Sequence, residues 1–218
     1  MSKLAAFWIF AAWLTFGSTA FPKELLKKEK AAAPAVYAPQ HGDILFQSLP
    51  HNEIVDAIEG STGSPFSHCG IVVARHDGWH VLEAIGPVKE TPLRHWIAQG
   101  RGSKFDARRL KPEFRSKIIP MIAAARAFTG LPYDIQYEMD DAKIYCSELI
   151  YKAFKKAGGG EMGVIRTLGE LNWRPYGPVI RAITGGAVPL QRQMITPKDL
   201  AEASQLELIL PLSQYSLR

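Results

Sequence analysis

The stretch Ile144-Tyr145-Cys146-Ser147-Glu148-Leu149-Ile150-Tyr151-Lys152-Ala153-Phe154 decides how this chain is read. Cys146, Leu149, Ile150, Ala153, Phe154 and Ala157 recur at the spacing of one helical face. Asp140 and Asp141 lie upstream, where a helix start favours negative charge, and Gly158-Gly159-Gly160 ends the helix. Cys146 therefore falls in the first turn of a short amphipathic helix. The free N–H groups and positive potential of a helix start lower a thiol's pKa and can receive a developing oxyanion. The same spacing also suits a buried core cysteine, because a free Cys packs as a small hydrophobe. The helix by itself leaves both readings open.

Outward from the helix, short strands dominate. Gly42-Asp43-Ile44-Leu45-Phe46 reads as the first, and Asn52 to Glu59 as a short helix with Ile54, Val55 and Ile58 on one side. Ser67-His68-Cys69-Gly70-Ile71-Val72-Val73-Ala74 and Trp79-His80-Val81-Leu82-Glu83-Ala84 flank Asp77-Gly78, a strong hairpin signal. With Asp77 and Gly78 as the two central turn residues, Val72 faces Glu83, and His68 and Glu83 share a sheet face. That register leaves His68 about 13 Å along the strand from the pair opposite Glu83, so a bulge or strong coiling is needed if they meet. Cys69 points to the other face and is expected to be a free, buried thiol. A Cys69–Cys146 disulfide is the alternative that an oxidising compartment allows.

Further along, Pro87 to Thr91 and Phe105 to Leu110 read as strands, with a short helix at Leu93–Ile97. Glu113 to Phe128 reads as a helix in which Pro120 marks a kink or a fresh start. Gly158 to Pro189 is rich in Gly, Pro and Arg and is expected to be an irregular lid or a pair of short helices. Pro197 to Ser204 suggests one helical turn, and Leu206 to Leu210 a last strand.

At the N-terminus, Lys3 precedes an apolar run from Leu4 to Phe16, and Ser18-Thr19-Ala20 offers small residues for cleavage. Residues 1–20 are therefore expected to be a secretory signal peptide, with residues 21–40 a linker and 41–218 the folded domain. The apolar run is short for a transmembrane helix. A periplasmic or secreted protein without a stable membrane anchor after cleavage is expected. The chain of 218 residues carries a net charge of +5, which falls to +4 when Lys3 leaves with the signal. A mild positive charge suits an anionic envelope polymer. No basic block of nucleic-acid type is present.

A cysteine hydrolase needs a thiolate, a histidine to move the proton and a polar group to orient that histidine. Cys146, His68 and Glu83 supply the three types, with His80 as the alternative orienter. The six His include no His-Glu-x-x-His pair, and the two Cys form no Cys-x-x-Cys, so neither a metal nor another cofactor is expected. Gly-x-Ser-x-Gly and phosphate-cradling loops are absent.

Gly130-Leu131-Pro132-Tyr133 followed by Tyr145-Cys146-Ser147-Glu148-Leu149 resembles the nucleophile segment of the NlpC-type cell-wall cysteine peptidases. Ser67-His68-Cys69-Gly70-Ile71 resembles their histidine strand, and Glu83-Ala84 falls where their third polar residue sits. Here the His segment precedes the Cys segment. That order, with Gly42-Asp43-Ile44-Leu45-Phe46 and Tyr133-Asp134, is similar to the circularly permuted papain-like amidases of the YiiX/YaeF type, over roughly His41 to Ile209. The resemblance implies an α+β fold, a permuted papain-like domain whose Cys-bearing helix packs on an antiparallel sheet or half-barrel. It implies Cys146 as nucleophile, His68 as base and Glu83 as orienter, with Tyr133 and Tyr145 at the substrate or oxyanion pocket. Tyr145 stands where the peptidases often have Asp, Glu148 replaces a Gly, and Cys69 replaces a Val or Ile. Stem-peptide specificity therefore does not carry over. The implied reaction is hydrolysis of an amide, in a peptidoglycan fragment or a small amide-linked lysine derivative. The rivals are an acyltransferase or lipid hydrolase of the lecithin-retinol acyltransferase type, and a non-catalytic wall-binding module.

Overall fold

In the computed structural model, residues 36–213, 216 and 217 are described. The expected signal peptide and most of the expected linker lie outside the described residues. In chain order the elements are β1 (Val36–Tyr37), β2 (Ile44–Gln47), α1 (Glu53–Thr62), β3 (His68–Arg75), β4 (Gly78–Ala84), β5 (Val88–Pro92), α2 (Leu93–Gln99) and β6 (Phe105–Leu110). There follow α3 (Ile118–Arg126), α4 (Cys146–Lys156), β7 (Arg166–Thr167), α5 (Gly177–Thr184), β8 (Gln193–Met194), α6 (Pro197–Ala201), β9 (Leu206–Ser213) and β10 (Ser216–Leu217).

Six strands form one antiparallel sheet in the order β5-β4-β3-β2-β6-β9. Alternation along each strand sends side chains to two faces. Ile44, Phe46, Cys69, Ile71, Val73, Leu82 and Ala84 join the core under α3 and α4. Leu45, Val72, Val81, Phe105 and Ala107 pack with Leu93, Trp96 and Ile97 of α2. The fold is thus α+β, with the Cys-bearing helix on an antiparallel sheet. The domain begins before residue 41. Tyr37 is buried, and its hydroxyl donates to Asp43 Oδ2 at 2.7 Å, while Arg109 holds the same carboxylate through two bonds. That buried anchor ties residues 36–40 to the sheet and ends the linker earlier than residue 40.

Three elements differ from the sequence reading in ways that matter below. The hairpin turns at His76-Asp77, so Arg75 pairs with Gly78 and Val72 with Val81. Gly78 takes φ +125°, a conformation that side chains rarely adopt, and serves as the first residue of the returning strand. Relative to the expected register, β4 slides by two residues. The slide is even, so the faces are unchanged, and it brings Glu83 closer to His68. Pro120 marks a fresh start: a 3₁₀ turn covers Pro112–Lys117, and Pro120 sits in the first turn of α3, where its missing N–H costs nothing. The segment after Gly158 is mostly ordered into β7, β8, α5 and two 3₁₀ turns, Leu168–Glu170 and Arg174–Tyr176.

That segment is tied down onto α1. Asn172 N donates to the carbonyl of Ser61 at 2.9 Å. Tyr176 lies on Gly60, where a Cβ would fall 1.6 Å from the tyrosine hydroxyl, so only glycine admits it.

Candidate active site

The nucleophile candidate is built from the helix start. Tyr145 is extended (φ −103°, ψ 168°) and precedes the first helical residue, Cys146. Glu148, three residues on, accepts from the Tyr145 amide at 3.3 Å, which fixes the first turn. Burial of Glu148 pushes its carboxyl up to about 7, against the pull of Lys152, whose Nζ lies 2.8 Å away. Ser147 Oγ donates to the carbonyl of Ile195, and Ile195 N donates to Tyr145 Oη. The helix start is thereby stitched to the strand leading into α6.

His68 is the first residue of β3, so the tip of α4 meets the strand at its end. His68 Nε2 donates to Glu83 Oε2 at 2.6 Å, and the same imidazole hydrogen-bonds Cys146. Its ring lies over Trp96 at 5.9 Å between centroids, tilted by 32°. Burial pulls the His68 pKa down, but the bonds to Cys146 and Glu83 and their negative charges outweigh it and raise it to about 9. Glu83 is fully enclosed and also accepts from Thr91 Oγ1 at 2.5 Å and Gln99 Nε2 at 3.1 Å. Burial raises its carboxyl, and these donors together with the imidazolium bring it below the ordinary carboxylate range.

The Cys146 thiol is driven well below its ordinary pKa. The Cys69 thiol, which donates to it, contributes most. Burial opposes, while the His68 bond and charge and the Cys69 amide add to the lowering. The Cys69 thiol is pushed up in turn, by burial and by the neighbouring thiolate. Both cysteines are free and buried. Strand alternation does put His68 and Cys69 on opposite faces, yet Cys69 does not point away from Cys146 as the hairpin argument implied. Where a helix tip meets a strand end, the first residue of the strand and the second both reach it.

The structure therefore brings Cys146, His68 and Glu83 together. His80 stays at the turn end of β4, with Nε2 3.7 Å from Asp77 Oδ2, and does not orient His68. Tyr133 lies beside Cys146, close enough for the thiolate to raise its pKa after the larger effects of burial and Tyr137. Tyr145 and Tyr137, rather than Tyr133, line the cavity that opens at Cys146.

Several contributors were not read from the sequence. Gly70 of β3 lies beside Glu83 of β4. A Cβ there would stand 2.4 Å from Val81 Cγ1, 3.1 Å from the Leu82 carbonyl oxygen and 3.4 Å from Glu83 Cβ, so glycine lets β3 and β4 pack closely beside Glu83. Its place two residues after His68 in the same strand was a usable signal. Thr91 and Gln99 come from β5 and α2, and no local pattern marks them. Tyr137 takes φ +57°, a costly conformation for a bulky residue. Its loop is held there by Asp134, which accepts from Gln136 N, and by Arg192, which donates to the carbonyl of Gln136 at 2.7 Å.

Comparison with known proteins finds similar chains. The family model for permuted papain-like amidase enzymes, YaeF/YiiX, matches residues 38–210. The protein YiiX of Escherichia coli is 33% identical over 175 residues, covering 78% of this chain and 85% of that protein. A crystal structure described as metalloprotein yiiX from Escherichia coli superposes with a TM-score of 0.73 at 32% identity, covering 83% of this chain and all of that one.

Proposed function

The chain belongs to the permuted papain-like amidases of the YaeF/YiiX type, and on that premise we propose that it hydrolyses an amide through a Cys146–His68–Glu83 triad and a thioester. The observation that supports this most is one buried chain of contacts, from thiolate to imidazole to carboxylate. In the resting site the proton sits on His68, and Cys146 is the thiolate. Sulfur attacks the carbonyl carbon, and the oxyanion is received by the free N–H groups at the start of α4. As the C–N bond breaks, His68 gives its proton to the leaving amine. Water then attacks the thioester and loses a proton to His68. The C–O bond forms, the C–S bond breaks, and the acid leaves with thiolate and imidazolium restored. Glu83 fixes the ring and its charge throughout.

The solved relative is described as a metalloprotein. In this chain His68 commits its ring to Glu83 and Cys146, and among the described residues no group of three or more His, Cys, Asp and Glu is placed to share a metal ion. In the proposed reaction Cys146, His68 and Glu83 carry every step through their own side chains.

The protein acts outside the cytoplasm, after cleavage near Phe21, on a peptidoglycan fragment or an amide-linked lysine derivative. The charged start, short apolar run and small residues support the export, and the mild positive charge supports the anionic envelope. The acyltransferase or lipid-hydrolase reading uses the same thioester, and the apolar walls of the cavity at Cys146 favour it over a non-catalytic module. Two experiments test the proposal. Iodoacetamide near neutral pH should label Cys146 fast and Cys69 slowly, and Cys146→Ala should abolish turnover in a folded protein. Turnover surviving in that variant refutes the triad. N-terminal sequencing of the exported protein should begin near residue 21, and an intact Met1 refutes the export.

A further inference from the structure

The chain has two cysteines, and the fold brings them together. Cys69 is the second residue of β3 and pairs with Phe46 of β2. Cys146 opens α4, whose start is fixed by the bonds of Tyr145 and Ser147 to Ile195. The Cys69 thiol donates to the Cys146 sulfur, and the Cys69 amide adds a second bond. Tyr133 lies close to both sulfurs. Cys69 is fully enclosed, and Cys146 is 3% exposed. The core between the sheet and α4 asks only for a small apolar side chain at residue 69, and the resembling peptidases carry Val or Ile there. Neither packing nor amide hydrolysis calls for a second thiol at this place.

From this contact we propose that the pair is a site of reversible oxidation by hydrogen peroxide, in which Cys146 meets the oxidant and Cys69 resolves it as a disulfide. This rests on Cys146 being the resting thiolate and does not depend on which amide the site cleaves. In the first step the Cys146 sulfur attacks one oxygen of the peroxide. The S–O bond forms, the O–O bond breaks, and the released hydroxide takes the proton of His68 and leaves as water. Cys146 is then a sulfenic acid, oxidised by two electrons, and its negative charge is gone. That charge is part of what holds the proton on Cys69, so its loss eases the next step. The Cys69 sulfur attacks the Cys146 sulfur, the S–S bond forms, the S–O bond breaks, and the departing hydroxide takes the Cys69 thiol proton as a second water. Sulfurs already in contact have little distance to close to an S–S bond of about 2.05 Å. The attack is intramolecular, so it runs ahead of further oxidation to the sulfinic acid, which thiols do not reverse. A dithiol reductant reopens the bond by exchange and restores the thiolate. The disulfide thus stops turnover and protects Cys146 at once.

The test uses the full-length protein, reduced, freed of reductant and treated with hydrogen peroxide. Intact mass, a non-reducing peptide map and the rate of Cys146 alkylation by iodoacetamide are read before peroxide, after it, and after dithiothreitol. The parent should lose about 2 Da, give a linked Cys69–Cys146 peptide, lose alkylation at least tenfold and regain nearly all of it with dithiothreitol. Cys69→Ser should instead gain about 32 Da on Cys146 and stay unreactive after dithiothreitol. Each protein is compared with its own rate before peroxide, because Cys69 also supports the Cys146 thiolate. The parent measurements decide the matter even if the variant fails to fold. A parent that gains about 32 Da on Cys146 with Cys69 still free, or that links Cys146 only to a second chain, overturns the proposal while leaving the thiolate in place. Iodoacetamide labelling of Cys69 in preference to Cys146 before peroxide overturns the thiolate assignment itself, and the proposal with it.

Discussion

Replacing Glu83 by Gln removes one charge and almost no volume from the most enclosed part of the site. Glu83 accepts from His68 at 2.6 Å, Thr91 at 2.5 Å and Gln99 at 3.1 Å, with none of its surface exposed. His68 titrates at about 9. Set against an ordinary imidazole near 6.5, that lift corresponds to about 3 kcal/mol favouring the protonated ring, shared between Glu83 and Cys146. A hydrogen bond to a charged partner contributes about 1.5–3 kcal/mol, so loss of the carboxylate should lower the His68 pKa by about 1–2 units. In the proposed reaction the protonated ring releases the amine. The descending limb of kcat/KM should therefore move from near 9 in the parent to about 7–8 in Glu83→Gln. Stability should follow the same group. The raised pKa contributes fully below about pH 6.5 and is lost as the pH rises through about 9. The stability gap between parent and variant should thus be widest below about pH 6.5 and narrow toward pH 9. The assays are kcat/KM and Cys146 alkylation against pH, with denaturant titrations at both ends of the range. An unmoved descending limb in a folded Glu83→Gln protein would refute the argument that the carboxylate sets the charge of His68.

Other perturbations probe the neighbouring contacts. Gly70→Ala places a Cβ 2.4 Å from Val81 Cγ1. It should cost about 1–3 kcal/mol in urea unfolding and lower kcat, with Val81→Ala restoring part of both. Cys69→Ala removes the donor that contributes most to the Cys146 thiolate. The rising limb of Cys146 alkylation should shift to higher pH, and an unchanged limb would show that the second thiol has no electrostatic part. His80→Ala should change kcat/KM by less than about twofold, because His80 lies at the turn with Asp77 rather than at His68. A loss as large as that of His68→Ala would contradict this placement.

Much of this site was legible in the chain because its parts are local. A cysteine at the start of an amphipathic helix, a histidine opening a β-strand and a glutamate of matching parity on the next strand are each marked by periodicity within about ten residues. Parity is also why an error of two residues in the hairpin register left His68 and Glu83 on one face. Distances across elements are a different matter. Whether His68 and Glu83 touch depends on the turn beginning at His76 rather than Asp77, and Gly70 lets β3 pack closely against Val81 and Glu83 of β4. Thr91 and Gln99 meet Glu83 only because β5 and α2 fold against β4. Cys69 reaches Cys146 because a helix tip sits at the end of a strand, a relation that alternation along the strand cannot express. The apolar cavity is assembled from α1, α5, β8 and the start of α4, separated by up to 140 residues of chain. Sequence patterns record which face a side chain takes within its own element; which faces are then pressed together is settled by burial of the whole core, and only the tertiary structure holds that information.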